Sequence, residues 1–497
     1  MAYLFISILA AIVGAVTLLY TSIQKLWKRH RLPPGLKPSH KKYGNLPDIQ
    51  NAGSIHEFLL SNHKKFGAIF SFWFGEKLVC SIASSDLFQE QIPGYDRPRE
   101  IYGFMEILFG RNMLVNVNGI EAQRRRAAYD RCFNQESVNN SLYIINKNVA
   151  EAARSLIGSA GRPVSVTSII NPTVFKTMSM ALFGADFLSD EQIHDFNETY
   201  KKIFEDIQIW MQHPSLMPPP ESLHYQNFQL ACKKLRKIVD SIVVHRTSSH
   251  HNTSLSSSSS SSSCDHHRDH RRLLIDQLIV TCSKTETVYD EALNFLISSI
   301  STSSNTIAFS LFYLAKYPEI QGKAYNSIID NIQQDPVTPH NIDSLSYIKW
   351  IVEETLRCAC VVPFCGRYNA KNTLGGYSIP EKTPLFYALG SSFKHGDVWP
   401  SPDEYDPTRF CPALSAKRPK LSFSPFGFGK RMCPGYRLAM ANMITFLTVI
   451  LRTFKLELSE NADDIRPEYG FVTHPNQDIL CYFIPRDENL RNHNEFL

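Results

Sequence analysis

The chain has 497 residues, 43% of them apolar, which is ample for a large core. Its formal net charge is only +5, and no basic cluster is interleaved with aromatics, so a nucleic-acid partner is not expected. Eleven cysteines without paired spacing fit a reducing compartment better than a disulfide scaffold.

Residues 2–23 are almost wholly apolar and uncharged, long enough for a helix that spans a bilayer. Lys25, Lys28, Arg29 and Arg31 follow at once, which favours a cytoplasmic C-terminal side. The positive charge follows the apolar run instead of preceding it, so an uncleaved anchor is a better reading than a signal peptide. Pro33, Pro34 and Gly35 then break the helix inside a basic, proline-rich linker over 24–40. Residues 67–82 predict a β-hairpin with Gly75 in its turn. Most of 120–246 reads as helices, interrupted at Pro214 and at Pro218, Pro219 and Pro220. The segment 247–272 is rich in serine, then in His, Arg and Asp, with too few apolar groups to pack; it is expected to be disordered. Helical pattern resumes at Leu273. A long apolar helix is predicted from Glu291 to Tyr317, stopped by Pro318, and another from Ile342 to about Cys358. Short strands follow, with Gly375 and Gly376 in a turn.

Ten residues carry the most information: Phe426-Gly-Phe-Gly429-Lys-Arg431-Met-Cys433-Pro-Gly435. One cysteine sits on a glycine-rich loop, just before a helix readable from Tyr436 to about Phe454. A helix N-terminus offers unpaired N–H groups and partial positive charge, which stabilise a thiolate there. Gly429 and Gly435 remove side chains, so a flat, bulky ligand can approach the backbone. A thiolate against a planar ligand is what cysteine ligation of haem iron requires. An inert buried cysteine is the plainer reading of a lone Cys, and the complete Phe-x-x-Gly-x-Arg-x-Cys-x-Gly spacing disfavours it.

With that spacing, the chain from about Pro33 to its C-terminus resembles the cytochrome P450 family of haem-thiolate monooxygenases. The stretch from Gly44 through the hairpin is most similar to the orphan family-twenty branch. The resemblance implies a mainly α fold with a small β-rich lobe, behind an N-terminal transmembrane helix. Residues 41–497 would be one haem-binding catalytic domain. It implies haem b as cofactor, with Cys433 as the metal ligand and Phe426, Gly429, Arg431 and Gly435 around it. Arg367 and Arg126 match positions that meet the haem propionates. The tryptophan of the family's Trp-x-x-x-Arg is Ala122 here, and Arg124 and Arg125 are candidates to replace that contact. Glu354 and Arg357 share a helix face and are implied to form a structural ion network with Arg409 of the Pro-x-Arg-Phe stretch.

On the distal helix, Thr302 keeps the hydroxyl of the oxygen pocket, and Ser301 stands where the family has an acid. Thr302 and Ser301 are the catalytic candidates, although a carboxylate can draw protons from solvent while a serine only relays them. An apolar pocket is implied from Phe104, Met105, Leu108, Phe109, Trp210, Met211, Phe295, Val361, Val362, Phe364 and Phe471, hence a lipophilic substrate. Electrons would come from NADPH through NADPH-cytochrome P450 reductase, with cytochrome b5 as a further donor. The expected location is the endoplasmic reticulum membrane, with the catalytic domain on the cytoplasmic side. Two other readings remain open: a peroxide isomerase that needs no reductase, and a non-catalytic haem carrier or sensor.

Overall fold

The computed structural model describes residues 13–14, 16–18, 32–159, 161–212, 216–255, 273–459 and 464–487; the side chains of 249–255 are not among them. The expected anchor and the first part of the linker lie outside the described residues, except for 13–14 and 16–18, which are helical.

Helix α1 (Ile55–Phe66) is capped by Ser54, whose hydroxyl accepts from the Glu57 amide at 3.1 Å. The expected hairpin follows as β1 (Ile69–Phe74) and β2 (Lys77–Ile82), paired antiparallel, with Gly75 at φ 60° in the turn. The helical stretch forms α2 (Gly119–Asp130), α3 (Gln135–Ile157), α4 (Val166–Phe183), α5 (Asp190–Gln212) and α6 (Leu223–Leu255), with the two-residue strand β3 (Val164–Ser165) between α3 and α4. Pro218, Pro219 and Pro220 fall between α5 and α6, where no helix can run through them. Helix α6 extends to Leu255, into the segment expected to be disordered. Once a helix is nucleated each further residue gains a hydrogen bond, so a polar tail can continue it. Residues 256–272 lie outside the described residues.

After α7 (Leu274–Thr281) comes α8 (Thr285–Lys316), the predicted apolar helix with an earlier start. Glu286 in its first turn complements the helix dipole, which favours that start. Tyr317 leaves helical geometry because Pro318 follows it, and Pro318 opens α9 (Pro318–Ile332). By length and composition α8 could cross a bilayer, but its most apolar window is 78% buried and it packs on α4, α10 (Ser346–Cys358) and α11 (Tyr436–Thr453), so it is the core helix. A single 3₁₀ turn at Ile342–Ser344 precedes α10.

Strands β4 (Cys365–Tyr368) and β5 (Pro384–Tyr387) complete the first sheet in the order β1-β2-β5-β4, parallel between β2 and β5 and otherwise antiparallel. The second sheet runs β3, β7 (Leu480–Pro485), β6 (Phe454–Leu458), all antiparallel. The described chain is thus mainly helical, with the small β-rich lobe expected.

One buried ion pair ties helix to loop. Glu354 and Arg357 of α10 have fully buried side chains and pair through two bonds of 2.7 Å. Arg357 also donates to the carbonyls of Phe393, Pro402 and Glu404, and the Glu354 carboxylate accepts from the Asp406 amide at 2.9 Å. The third expected member, Arg409, stands 3.4 Å from Glu354 and spends its terminal N–H groups on the Pro400 and Ser401 carbonyls. Removing one partner of such a pair leaves a bare buried charge. Arg357→Leu should therefore lower the stability of the purified protein by about 3–5 kcal/mol, read as a fall in the urea midpoint, whereas Arg409→Leu should cost less.

Candidate active site

The loop ahead of α11 is shaped by two left-handed glycines, Gly427 at φ 71° and Gly429 at φ 67°. At Gly429 a Cβ would also come within 3.0 Å of the Ile92 carbonyl. Gly435 differs: its φ is −85°, and a Cβ there would meet only the Phe133 ring at 3.5 Å. The Cys433 amide closes the loop by donating to the Phe426 carbonyl at 2.9 Å. This leaves the thiol just before the N-terminus of α11, facing a cavity of about 310 Å³.

Phe426, Cys433, Gly435, Ala439 and Met443 form one wall of that cavity, and Asn294, Phe295, Ser298, Ser299, Thr302 and Thr306 of α8 form another. Met105, Val361, Val362, Phe364 and Phe471 line it as expected, with Leu114 and Val115 beside them. Phe104, Leu108, Phe109, Trp210 and Met211 do not line it; Trp210 instead packs on Phe228, ring centroids 4.7 Å apart.

The predicted catalytic pair is split. Thr302 lines the cavity, its hydroxyl also donating to the Ser298 carbonyl at 2.9 Å. Ser301 does not line it; its hydroxyl is buried and donates to the Ile297 carbonyl at 3.1 Å. One residue is 100° of helix rotation, which turns Ser301 off the stripe that Thr302 occupies.

Positive charge gathers at one side of the cavity. Arg126, Arg367 and Arg431 line it, and so does Arg97, which no motif in the sequence marks. Arg431 is buried and donates to the carbonyls of Tyr95, Leu114 and Val117. Arg367 donates to the carbonyls of Gly366 and Arg431. Arg126 alone has a carboxylate partner, Asp130 at 2.5 Å. The Arg97 Nε has no hydrogen-bond partner among the described residues. Burial, then the charge of Arg367, pulls the Arg97 guanidinium down to about 9. Burial, with the charges of Arg367 and Arg126, pulls Arg431 down to about 10. These cations repel one another, and no Asp or Glu among the described residues lines the cavity.

The neighbouring arginines of α2 do not join them. Arg124 pairs with Glu121, and Arg125 is shared between Glu121 at 2.7 Å and Glu291 at 3.4 Å; neither lines the cavity. Ala122 is fully buried, so the tryptophan's place is taken by packing alone.

The Cys433 thiol is pushed up by burial, against the pull of the Gly435 amide and the charges of Arg126 and Arg97. A bound metal cation would reverse that balance outright. The donor set therefore fits a flat apolar body with two carboxylates against the arginines and an iron at the sulfur. That is the chemistry of haem: Cys433 would hold the metal, and Arg97, Arg126, Arg367 and Arg431 the propionates. The site is that of a haem-thiolate protein.

Comparison with known proteins agrees. The family model for cytochrome P450 matches residues 33–482. Human cytochrome P450 20A1 is 24% identical over 478 residues, covering 95% of this chain and 96% of that protein. Bovine cytochrome P450 20A1 is 25% identical over 478 residues, with the same coverage. Cytochrome P450 71B14 of Arabidopsis thaliana is 32% identical over a shorter stretch of 188 residues, 36% of this chain and 38% of that protein. The chain belongs to the cytochrome P450 family, whose members are haem-thiolate monooxygenases.

An arginine–carboxylate bond is worth roughly 1.5–3 kcal/mol, a factor of about 10–100. Arg97→Leu should speed haem loss by about tenfold or more, read as transfer of haem to apomyoglobin; an unchanged rate would place the propionates elsewhere.

Proposed function

We propose that this chain is a membrane-anchored monooxygenase that oxidises a lipophilic small molecule with dioxygen and reductase-supplied electrons. The observation that carries the substrate class is the apolar wall of Met105, Leu114, Val115, Val361, Val362 and Phe364 beside Thr302. Burying apolar surface there favours a lipophile by about 25 cal/mol per Å². Haem, when bound, supplies the dioxygen chemistry, and the cysteine thiolate favours O–O cleavage.

The protein's own residues do the rest. The Cys433 loop, rigid at Gly427 and Gly429, presents sulfur at one wall. The arginines orient the carboxylate edge of the cofactor. The apolar side chains exclude bulk water, and the Thr302 hydroxyl stands in the cavity as donor and acceptor for protons. The apolar run at 2–23 with basic residues behind it supports an anchor in the endoplasmic reticulum membrane, the folded domain on the cytoplasmic side. NADPH-cytochrome P450 reductase, and cytochrome b5, are the proposed electron donors.

The absence of any carboxyl from the cavity wall among the described residues favours one rival, a peroxide isomerase that needs no proton supply. The test is reconstitution of the purified protein with reductase and NADPH in lipid vesicles, after ligands have been selected by their shift of the haem spin state. NADPH-dependent oxidation of a bound lipophile is the expected result. Isomerisation of a hydroperoxide without reductant, and no NADPH-dependent product, would select the rival. Haem binding with neither reaction would leave a carrier.

A further inference from the structure

We propose that Glu291 is the proton donor that serves the cavity hydroxyls of Ser298 and Thr302, a role that rests on the monooxygenase reading. That reaction consumes one dioxygen, one substrate C–H bond, two electrons from NADPH through its flavoprotein reductase, and two protons. It returns one C–OH and one water. The protons must reach a cavity with no Asp or Glu on its wall among the described residues. Hydroxyls pass protons along but do not hold them in reserve.

Glu291 lies on α8, one turn before Asn294 and Phe295, both of which line the cavity. Seven and eleven residues separate it from Ser298 and Thr302, which at 100° per residue puts each of them within about 20° of its direction, on one stripe. The residue is fully buried, and its Oε2 has no hydrogen-bond partner among the described residues. An orphaned carboxylate oxygen in the interior is costly unless something beyond its packing uses it. Asp290, the adjacent buried acid, is paired with Arg236 of α6.

The other oxygen of Glu291 is held by α2. Oε1 accepts from the Tyr129 hydroxyl at 3.3 Å and from Arg125 at 3.4 Å. Tyr129 in turn stands 3.4 Å from the Cys282 sulfur, and Arg125 binds Glu121, whose side chain is 42% exposed. Glu291 thus stands between a solvent-facing edge of α2 and the cavity end of α8. Burial pushes its carboxyl up to about 7, with the Leu114 amide and Arg125 acting against that rise. Both of its states are then populated near neutrality, as a proton donor requires.

The proton leaves Oε2 and travels through bridging water along the helix direction, about 10 Å to the Ser298 hydroxyl and about 6 Å further to that of Thr302. The carboxylate regains a proton from solvent through water on the side where Arg125 meets the half-exposed Glu121. No atom other than hydrogen moves. The charged and titratable groups facing Glu291 are Arg125 and Tyr129 on α2 and Cys282 after α7, with Glu121 behind Arg125 and the Asp290–Arg236 pair next along the helix.

The experiment compares wild type with Glu291→Gln as holoproteins in the reconstituted system. The readouts are product formed per NADPH, hydrogen peroxide released, and the infrared band of a buried protonated carboxyl. The variant should lose the band, and product per NADPH should fall about tenfold or more with a matching rise in peroxide. Glu291→Gln/Ser298→Asp, which returns an acid to the cavity wall, should regain most of the coupling; a merely structural Glu291 would not be rescued this way. In the wild type, coupling should decline as pH rises through about 7, because the donor is then deprotonated. That measurement stands even if the glutamine variant fails to fold. Unchanged coupling in the variant, or flat wild-type coupling from about pH 6 to about pH 8.5, would overturn the proposal. No NADPH-dependent product in the wild type would instead remove the monooxygenase reading, and this proposal with it.

Discussion

Four arginines that share one cavity and have a single carboxylate between them set the terms for this protein. Arg367 and Arg431 spend their N–H groups on backbone carbonyls, which satisfy hydrogen bonds but leave the charge. Charge concentrated in this way is tolerated only when an anion completes it. A ligand that brings two carboxylates and a flat apolar body resolves the conflict in one step. The cavity is thus built for its cofactor in the same sense that a buried salt bridge is built for its missing half.

The fold fixes the opposite edge of that ligand by different means. Cys433 is positioned by a short loop whose two left-handed glycines admit no other residue easily. The segment leading toward that loop is held by the Glu354–Arg357 pair, which reaches four separate backbone groups between Phe393 and Asp406. Helix α8 closes the far wall. Ser298, Ser299, Thr302, Ser303 and Thr306 face the cavity, while the helix packs on α4, α10 and α11.

How much of this could be read beforehand depended on whether the determinants were contiguous. The Cys433 loop, the hairpin at Gly75 and the helix stop at Pro318 each rest on a few adjacent residues, and all three were legible. Arg97 was not, because it reaches the cavity from a segment with no periodic signal, and only the tertiary fold brings it beside Arg367 and Arg431. The Ala122 departure was visible, but not that Arg125 is already engaged by Glu121 and Glu291. For Ser301 the signal was present and unused: spacing alone puts it 100° from Thr302. Trp210 and Met211 were assigned to the cavity by analogy of position, and packing between α5 and α6 claims Trp210 instead.

The central claim is that cationic side chains and one sulfur together select a dianionic porphyrin. The most direct measurement is reconstitution of haem-free protein with haem and, in parallel, with haem dimethyl ester, which keeps the iron and the ring but has no carboxylates. Haem should raise the melting temperature and give the thiolate-type Soret band of the reduced carbon monoxide complex, while the ester should bind far more weakly. Equal binding of the two, or a band without thiolate character from haem itself, would contradict the account.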